Sequence, residues 1–113
     1  MKRLVEIRSY NLKPGVREKF HRLVLELSLP MLKRWGVDVV AFGPSRQDDV
    51  SYYLIRAYES MESRQSSQDA FYGSVEWRDG PREAIVSLID SHASIVLEMD
   101  SSTVDALRKK DEP

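Results

Sequence analysis

Glu6, Arg8 and Tyr10 follow one another at a spacing of two. On a β-strand that spacing puts all three side chains on one face. Arg56 and Tyr58 repeat the pattern later in the chain, on a segment that reads as a neighbouring strand. Two guanidinium groups with a phenol on one surface are the parts of an anion-holding site. Arginine grips a carboxylate or enolate through paired N–H donors, and tyrosine adds a hydroxyl donor. A structural reading stands beside this one: a buried Glu6–arginine network would fix the register between two subunits, because interface arginines are commonly paired.

His21 is the next candidate. Facing a cavity between helix and sheet it would serve as a general base, imidazole being the side chain that titrates near neutrality. It would also suit an axial haem ligand. On an exposed helix flank it would do neither. His92 reads as a strand-edge residue. The catalytic candidates are thus His21, Arg8, Tyr10 and Arg56, with Glu6, Tyr53, Tyr58 and Trp77 as ligand-binding candidates. Trp35, Tyr52, Phe71 and Tyr72 add aromatic surface that lines a pocket for a planar substrate or fills core and interface.

Other chemistries lack their parts. Cysteine is absent, which removes disulfides, thiolate catalysis and cysteine-held zinc or iron–sulfur sites. Two histidines without HxH or HExxH spacing make a dedicated metal site a weak reading. Ser63 to Ser67 has no activating base nearby in sequence, and the five glycines are dispersed, so neither a serine hydrolase nor a phosphate loop is indicated. No cofactor is expected. The formal net charge of −1 gives no basic excess to attract nucleic acid or anionic lipid. No apolar run approaches the ~18 residues of a membrane span, and no signal-like apolar region follows Met1-Lys2-Arg3. A cytoplasmic protein is the expectation.

The elements that must position these residues follow from periodicity. Leu4 to Tyr10 alternates as a half-buried strand and ends at the Pro14-Gly15 turn. From Val16 the period becomes helical, with Val16, Phe20, Leu23, Val24, Leu27 and Met31 on one stripe and His21, Leu25, Ser28 and Leu32 beside it. Pro30 should kink this helix and Gly36 end it. Val37 to Phe42 and Val50 to Tyr58 make a hairpin around a polar loop. Ser60 caps a second helix to about Tyr72, closed by Gly73. A turn at Ser74 to Trp77, a short helix from Arg82 to Ile89 and a last strand from His92 to Met99 follow.

The 113 residues suit one domain. It is read as residues 1–99, with a polar tail over residues 100–113 that is expected to fray. The order βαββαβ, with one short helix inserted, predicts an α+β ferredoxin-like sandwich: a four-stranded antiparallel sheet with helices on one face. The expected uncovered face carries Leu4, Glu6, Arg8, Tyr10, Val40, Phe42, Leu54, Arg56, Tyr58 and Val96. So apolar a face predicts a homodimer formed through it.

Several stretches together resemble the NIPSNAP family. They are Val5-Glu6-Ile7-Arg8-Ser9-Tyr10, Leu12-Lys13-Pro14-Gly15, Leu29-Pro30, Ala57-Tyr58-Glu59-Ser60-Met61 and Glu76-Trp77. The resemblance spans about residues 4 to 98, carried by order and spacing rather than by any single motif. It implies a dimeric α/β barrel in which two ferredoxin-like subunits place their sheets face to face. The wider fold group includes cofactor-free monooxygenases, muconolactone isomerases and haem-dependent chlorite dismutases. The resemblance therefore implies either a small-molecule enzyme acting on an aromatic or enolisable substrate, or a non-catalytic binding or assembly protein. Fold alone does not choose between them.

Overall fold

The computed structural model describes residues 1–108. Four strands, β1 (Lys2–Leu12), β2 (Asp38–Pro44), β3 (Ser51–Tyr58) and β4 (Ile89–Asp100), form one antiparallel sheet in the order β2-β3-β1-β4. This is the expected βαββαβ arrangement, with β1 and β3 as central neighbours.

The first helical arm runs through α1 (Arg17–Leu23), a π-helical stretch (Val24–Ser28) and α2 (Leu29–Arg34). Pro30 sits in the first turn of α2. It cannot donate the N–H that would continue the preceding ladder, and the π turns directly before it take up the break. Gly36 closes the arm at φ +75°, a left-handed conformation that glycine adopts without steric cost.

The second arm comprises α3 (Met61–Tyr72), α4 (Val75–Arg78) and α5 (Arg82–Val86). Ser60 and Ser63 cap α3 reciprocally: the Ser63 N–H donates to Ser60 Oγ at 3.0 Å and the Ser60 N–H to Ser63 Oγ at 3.1 Å. Ser74 caps α4 by accepting from the Trp77 N–H at 3.1 Å. The main core lies between these arms and the sheet, around Leu12, Phe20, Leu32, Tyr52, Phe71 and Trp77.

The covered face is the opposite of the one expected. Glu6, Arg8 and Tyr10 pair with Arg56, Leu54 and Tyr52 on β3, and this face lies under the helices. Alternation determines which residues share a face, not which face is buried. That choice is made by α3, whose Arg64, Gln68 and Tyr72 supply polar partners that Glu6 and Arg56 need. The face left open is the aliphatic one, with Ile7, Ile55, Ile95 and Leu97, and it needs no such partners. Val40 joins that open side, packing with Val5 and Ala57, while Phe42 lies on the helix side. The register shift between Val39 and Ala41 separates the two.

The C-terminal segment also differs. Ser101–Leu107 forms a helix, α6, whose Val104 is fully buried on Val5, Val40 and Ala57. Arg108 holds it there, donating through Nη1 to Asp38 Oδ1 at 2.7 Å and through Nη2 to Oδ2 at 2.9 Å. Part of the expected tail is thus helical, and its residues 109–113 lie outside the described residues. Among the described residues no helix is long and apolar enough to cross a membrane.

Candidate functional site

Glu6 is the centre of the polar interior. Its side chain is fully buried at mid-strand in β1, directly opposite Arg56 in β3. Arg56 Nε and Nη2 donate to Glu6 Oε1 at 3.0 and 2.6 Å. Gln68 Nε2 donates to the same oxygen at 3.0 Å, and Arg64 Nη2 to Oε2 at 2.7 Å. Arg8 reaches Oε2 at 3.4 Å. Burial alone would raise the Glu6 pKa. The positive charges of Arg56, Arg64 and Arg8, with their hydrogen bonds, outweigh it and hold the group at about 2. Glu6 is therefore an ionised structural anchor and not a proton carrier.

Arg56 is similarly committed. Its remaining nitrogen, Nη1, donates to the Tyr72 hydroxyl at 2.8 Å, and only 1% of the residue is exposed. It ties α3 to the sheet within one subunit rather than setting register between two. Arg8 is less committed. Its Nε donates to Ser94 Oγ at 3.1 Å, its contact with Glu6 is the longest of the network, and its guanidinium lies 6.0 Å from the Tyr72 ring centre.

Arg8 opens onto a cleft of about 490 Å³ between α3–α5 and the β1–β4 edge. Tyr10, Tyr72 and Trp77 form its inner wall, and Arg82, Asp90 and His92 its rim. Tyr10 packs on Phe20 with ring centres 5.5 Å apart and faces His92 at 6.3 Å. Burial pushes the Tyr10 hydroxyl pKa upward, so it is a donor at physiological pH. Tyr10, Tyr72, Trp77 and Ile85 also line a smaller chamber of about 40 Å³ deeper in the core, whose other walls include Phe20, Val24, Ser28 and Leu54. The two cavities share these four residues and so adjoin each other.

Of the candidates read from sequence, Arg8, Tyr10 and Trp77 come together on this cleft. His21 does not line it. Its Nδ1 lies 2.6 Å from the Tyr52 hydroxyl, on the other side of Phe20. Tyr53 lies on the open face opposite Ser9. Tyr58 is buried with its hydroxyl unpartnered among the described residues. The residues that sequence reasoning passed over are Arg64, Gln68, Arg82 and, as a rim residue, His92. The first two had a signal: Arg64, Gln68 and Tyr72 recur every four residues, one polar stripe along α3. Among the described residues no group of three His, Cys, Asp or Glu side chains could hold a metal ion.

No protein-family model matches the chain, and neither does any curated protein. Solved structures do. An uncharacterised NIPSNAP domain protein from Burkholderia xenovorans is 17% identical, with 87% of this chain aligned to 95% of that one at a TM-score of 0.76. A NIPSNAP family protein of unknown function from Agrobacterium tumefaciens is 19% identical, over 86% of this chain and 87% of that one, at 0.78. A candidate antibiotic biosynthesis monooxygenase from Bordetella bronchiseptica is 20% identical, over 89% and 98%, at 0.66. At these identities the likeness is one of fold. The chain has the α+β fold of NIPSNAP proteins, as its sequence resemblance implies.

Proposed function

We propose that this chain is a NIPSNAP-type protein that binds a small organic molecule in the cleft beside Arg8. The observation that carries the reading is the composition of that cleft: an arginine with donors to spare, a buried tyrosine hydroxyl, two further aromatic rings and a rim histidine around about 490 Å³. Apolar walls with a few convergent polar groups are what small-molecule sites are made of. The chemistry this set suits is enolisation, or cofactor-independent oxidation of a phenol or enol with dioxygen as the oxidant. Arg8 and Tyr10 would stabilise the developing oxyanion, and His92, at the rim, would take the proton. Likeness of fold to a candidate antibiotic biosynthesis monooxygenase supports that class. The proposal places the chain in the cytoplasm, an expectation from sequence alone.

The test is incubation of the purified chain with enolisable aryl ketones and with anthrone-type phenols. Enolisation is read as deuterium uptake from solvent by NMR, and oxidation as oxygen consumption. Loss of either signal in His92→Ala and Tyr10→Phe, with thermal melting retained, supports the reading. Absence of any binding or turnover by the wild-type chain refutes it.

A second reading has its own observation. Ile95 and Leu97 are 61% and 39% exposed on the open sheet face, in line with Ile7 and Ile55. An aliphatic surface of this kind suits a homodimer formed sheet to sheet. In that reading the dimer is the functional unit whether or not the cleft does chemistry.

A further inference from the structure

We infer that the cleft selects an organic anion with a flat apolar body: the acid group on Arg8, the body against Tyr10, Tyr72 and Trp77, and a short apolar substituent in the inner chamber. This rests on the reading of the cleft as a ligand site, and adds the chemical class that the site takes.

The charge balance comes first. Arg8, Arg56 and Arg64 surround the single carboxylate of Glu6. Arg56 gives three of its N–H donors to Glu6 and Tyr72 and is shut away from water, and Arg64 closes on Glu6 from α3. The positive charge left over is presented at Arg8, which lines the cleft while the other two do not. A guanidinium carries five N–H donors, and among the described residues the hydrogen-bond partners of Arg8 are Ser94, Glu6 and the Tyr10 hydroxyl. Donors therefore remain for a ligand carboxylate or phenolate. The Arg8 side chain is 15% exposed, so such a bond would form largely out of water, where charge-assisted bonds are strong. Among the described residues that line the cleft the acidic one, Asp90, is exposed, and Arg82 stands on the same rim.

The walls give the second half of the class. Tyr72 and Trp77, which both line the cleft, meet edge to face at 5.4 Å, and the Tyr72 hydroxyl is taken by Arg56. Beyond them the chamber of about 40 Å³ is lined mostly by apolar surface, and of its tyrosines Tyr52 and Tyr72 hold their hydroxyls on His21 and Arg56. Water needs roughly 10–15 Å³ of such space together with polar partners. The chamber has the room and few partners, so a methyl or ethyl group is the better occupant.

The experiment is calorimetric titration of the full chain with four probes: naphthalene-2-carboxylate, its 6-ethyl derivative, and the carboxamides of both. The acids are expected to bind at least tenfold tighter than the amides. In Arg8→Gln that ratio should fall towards one. Ser28→Leu, which fills the chamber, should weaken the ethyl acid at least fivefold relative to the unsubstituted acid. Because Arg8 also touches Glu6, ligand-free melting of each variant is recorded, and the acid-to-amide ratio of the wild-type chain tests the idea without any variant. Equal binding of acids and amides would overturn the anion inference and leave the cleft reading standing. A ratio unchanged in Arg8→Gln would place the anion elsewhere and overturn it too. Binding by none of the four at millimolar concentration would remove both readings.

Discussion

Arg56 and Glu6 face each other across β3 and β1, and two nitrogens of Arg56 converge on one oxygen of Glu6, at 3.0 and 2.6 Å. Both side chains are essentially removed from water. The second oxygen of Glu6 is left to Arg64 and Arg8, so one carboxylate is shared by three cations from two strands and a helix. That asymmetry makes the two members of the pair unequal.

Replacing Glu6 strands a fully buried arginine and two partly buried ones. Glu6→Met is therefore expected to cost roughly 3–5 kcal/mol, the range for breaking a buried ion pair from one side. Arg56→Met leaves Glu6 still held by Arg64 and Gln68, and should cost less, about 1–3 kcal/mol. Urea denaturation of the two variants reads the order directly. An equal or reversed order would mean that the network is not centred on Glu6.

The same centre gives a pH dependence. Glu6 titrates at about 2 in the folded chain, against an ordinary value of 4.5. A lowered carboxylate pKa contributes stability above the unfolded value and loses it as pH falls through the folded one. The contribution is complete above about pH 5 and is withdrawn between 4.5 and 2, on the order of 3 kcal/mol in all. Other carboxylates titrate in that window, so the comparison is with Glu6→Met. Its unfolding free energy should fall less steeply between pH 4.5 and 3 than that of the wild type. Parallel profiles would show that Glu6 does not carry the acid sensitivity.

The strand order and most element boundaries were legible because they depend on local signals. Period-two alternation marked β1, the serine at position 60 marked α3, and Gly36 marked the end of the first arm. The side of the sheet that the helices cover was not legible, because a strand with polar and apolar faces of similar bulk fits either way until its partners are known. Those partners sit on α3, where Arg64, Gln68 and Tyr72 make a polar stripe that resembles solvent-facing helix surface. Val104 was hidden for the same reason: one buried valine in a polar segment carries almost no periodic signal. For the site, Arg8, Tyr10 and Trp77 were legible, whereas His92 and Arg82 meet them only through folding.

The corrected face changes where a dimer would form. Ile95 stands 61% exposed at the middle of β4, beside Ile7 on β1. Sheet-to-sheet association would bury it, and a lysine there would have to be desolvated without a partner. The wild-type chain is expected to sediment as a dimer at tens of micromolar, and Ile95→Lys as a monomer with an unchanged far-ultraviolet circular dichroism spectrum. A monomeric wild type removes the dimer from the proposal.

Helix α6 should contribute to stability through one side chain. Val104 is fully buried, whereas the Arg108 side chain that pins the end of the helix to Asp38 is 34% exposed. Val104→Ala leaves a small cavity against Val5 and Ala57 and is expected to cost about 1–2 kcal/mol. Arg108→Ala should cost under about 1 kcal/mol, as solvent-screened pairs do. Thermal melts of the two variants check the order. If Arg108→Ala proves the more damaging, α6 is held by charge and not by packing.

His21 separates two pictures of the chemistry. Its Nδ1 lies 2.6 Å from the hydroxyl of Tyr52, a residue only 1% exposed. Removing that hydroxyl leaves a half-buried imidazole without its partner, so Tyr52→Phe is expected to cost about 1 kcal/mol. His21 does not line the cleft beside Arg8 or its inner chamber. Ligand affinity in His21→Ala should therefore stay within about twofold of the wild type, a difference under roughly 0.4 kcal/mol. His92→Ala should weaken binding or turnover. If instead His21→Ala abolishes activity while the chain stays folded, the general base lies on α1, and the reacting group must approach between α1 and β3 rather than along β4.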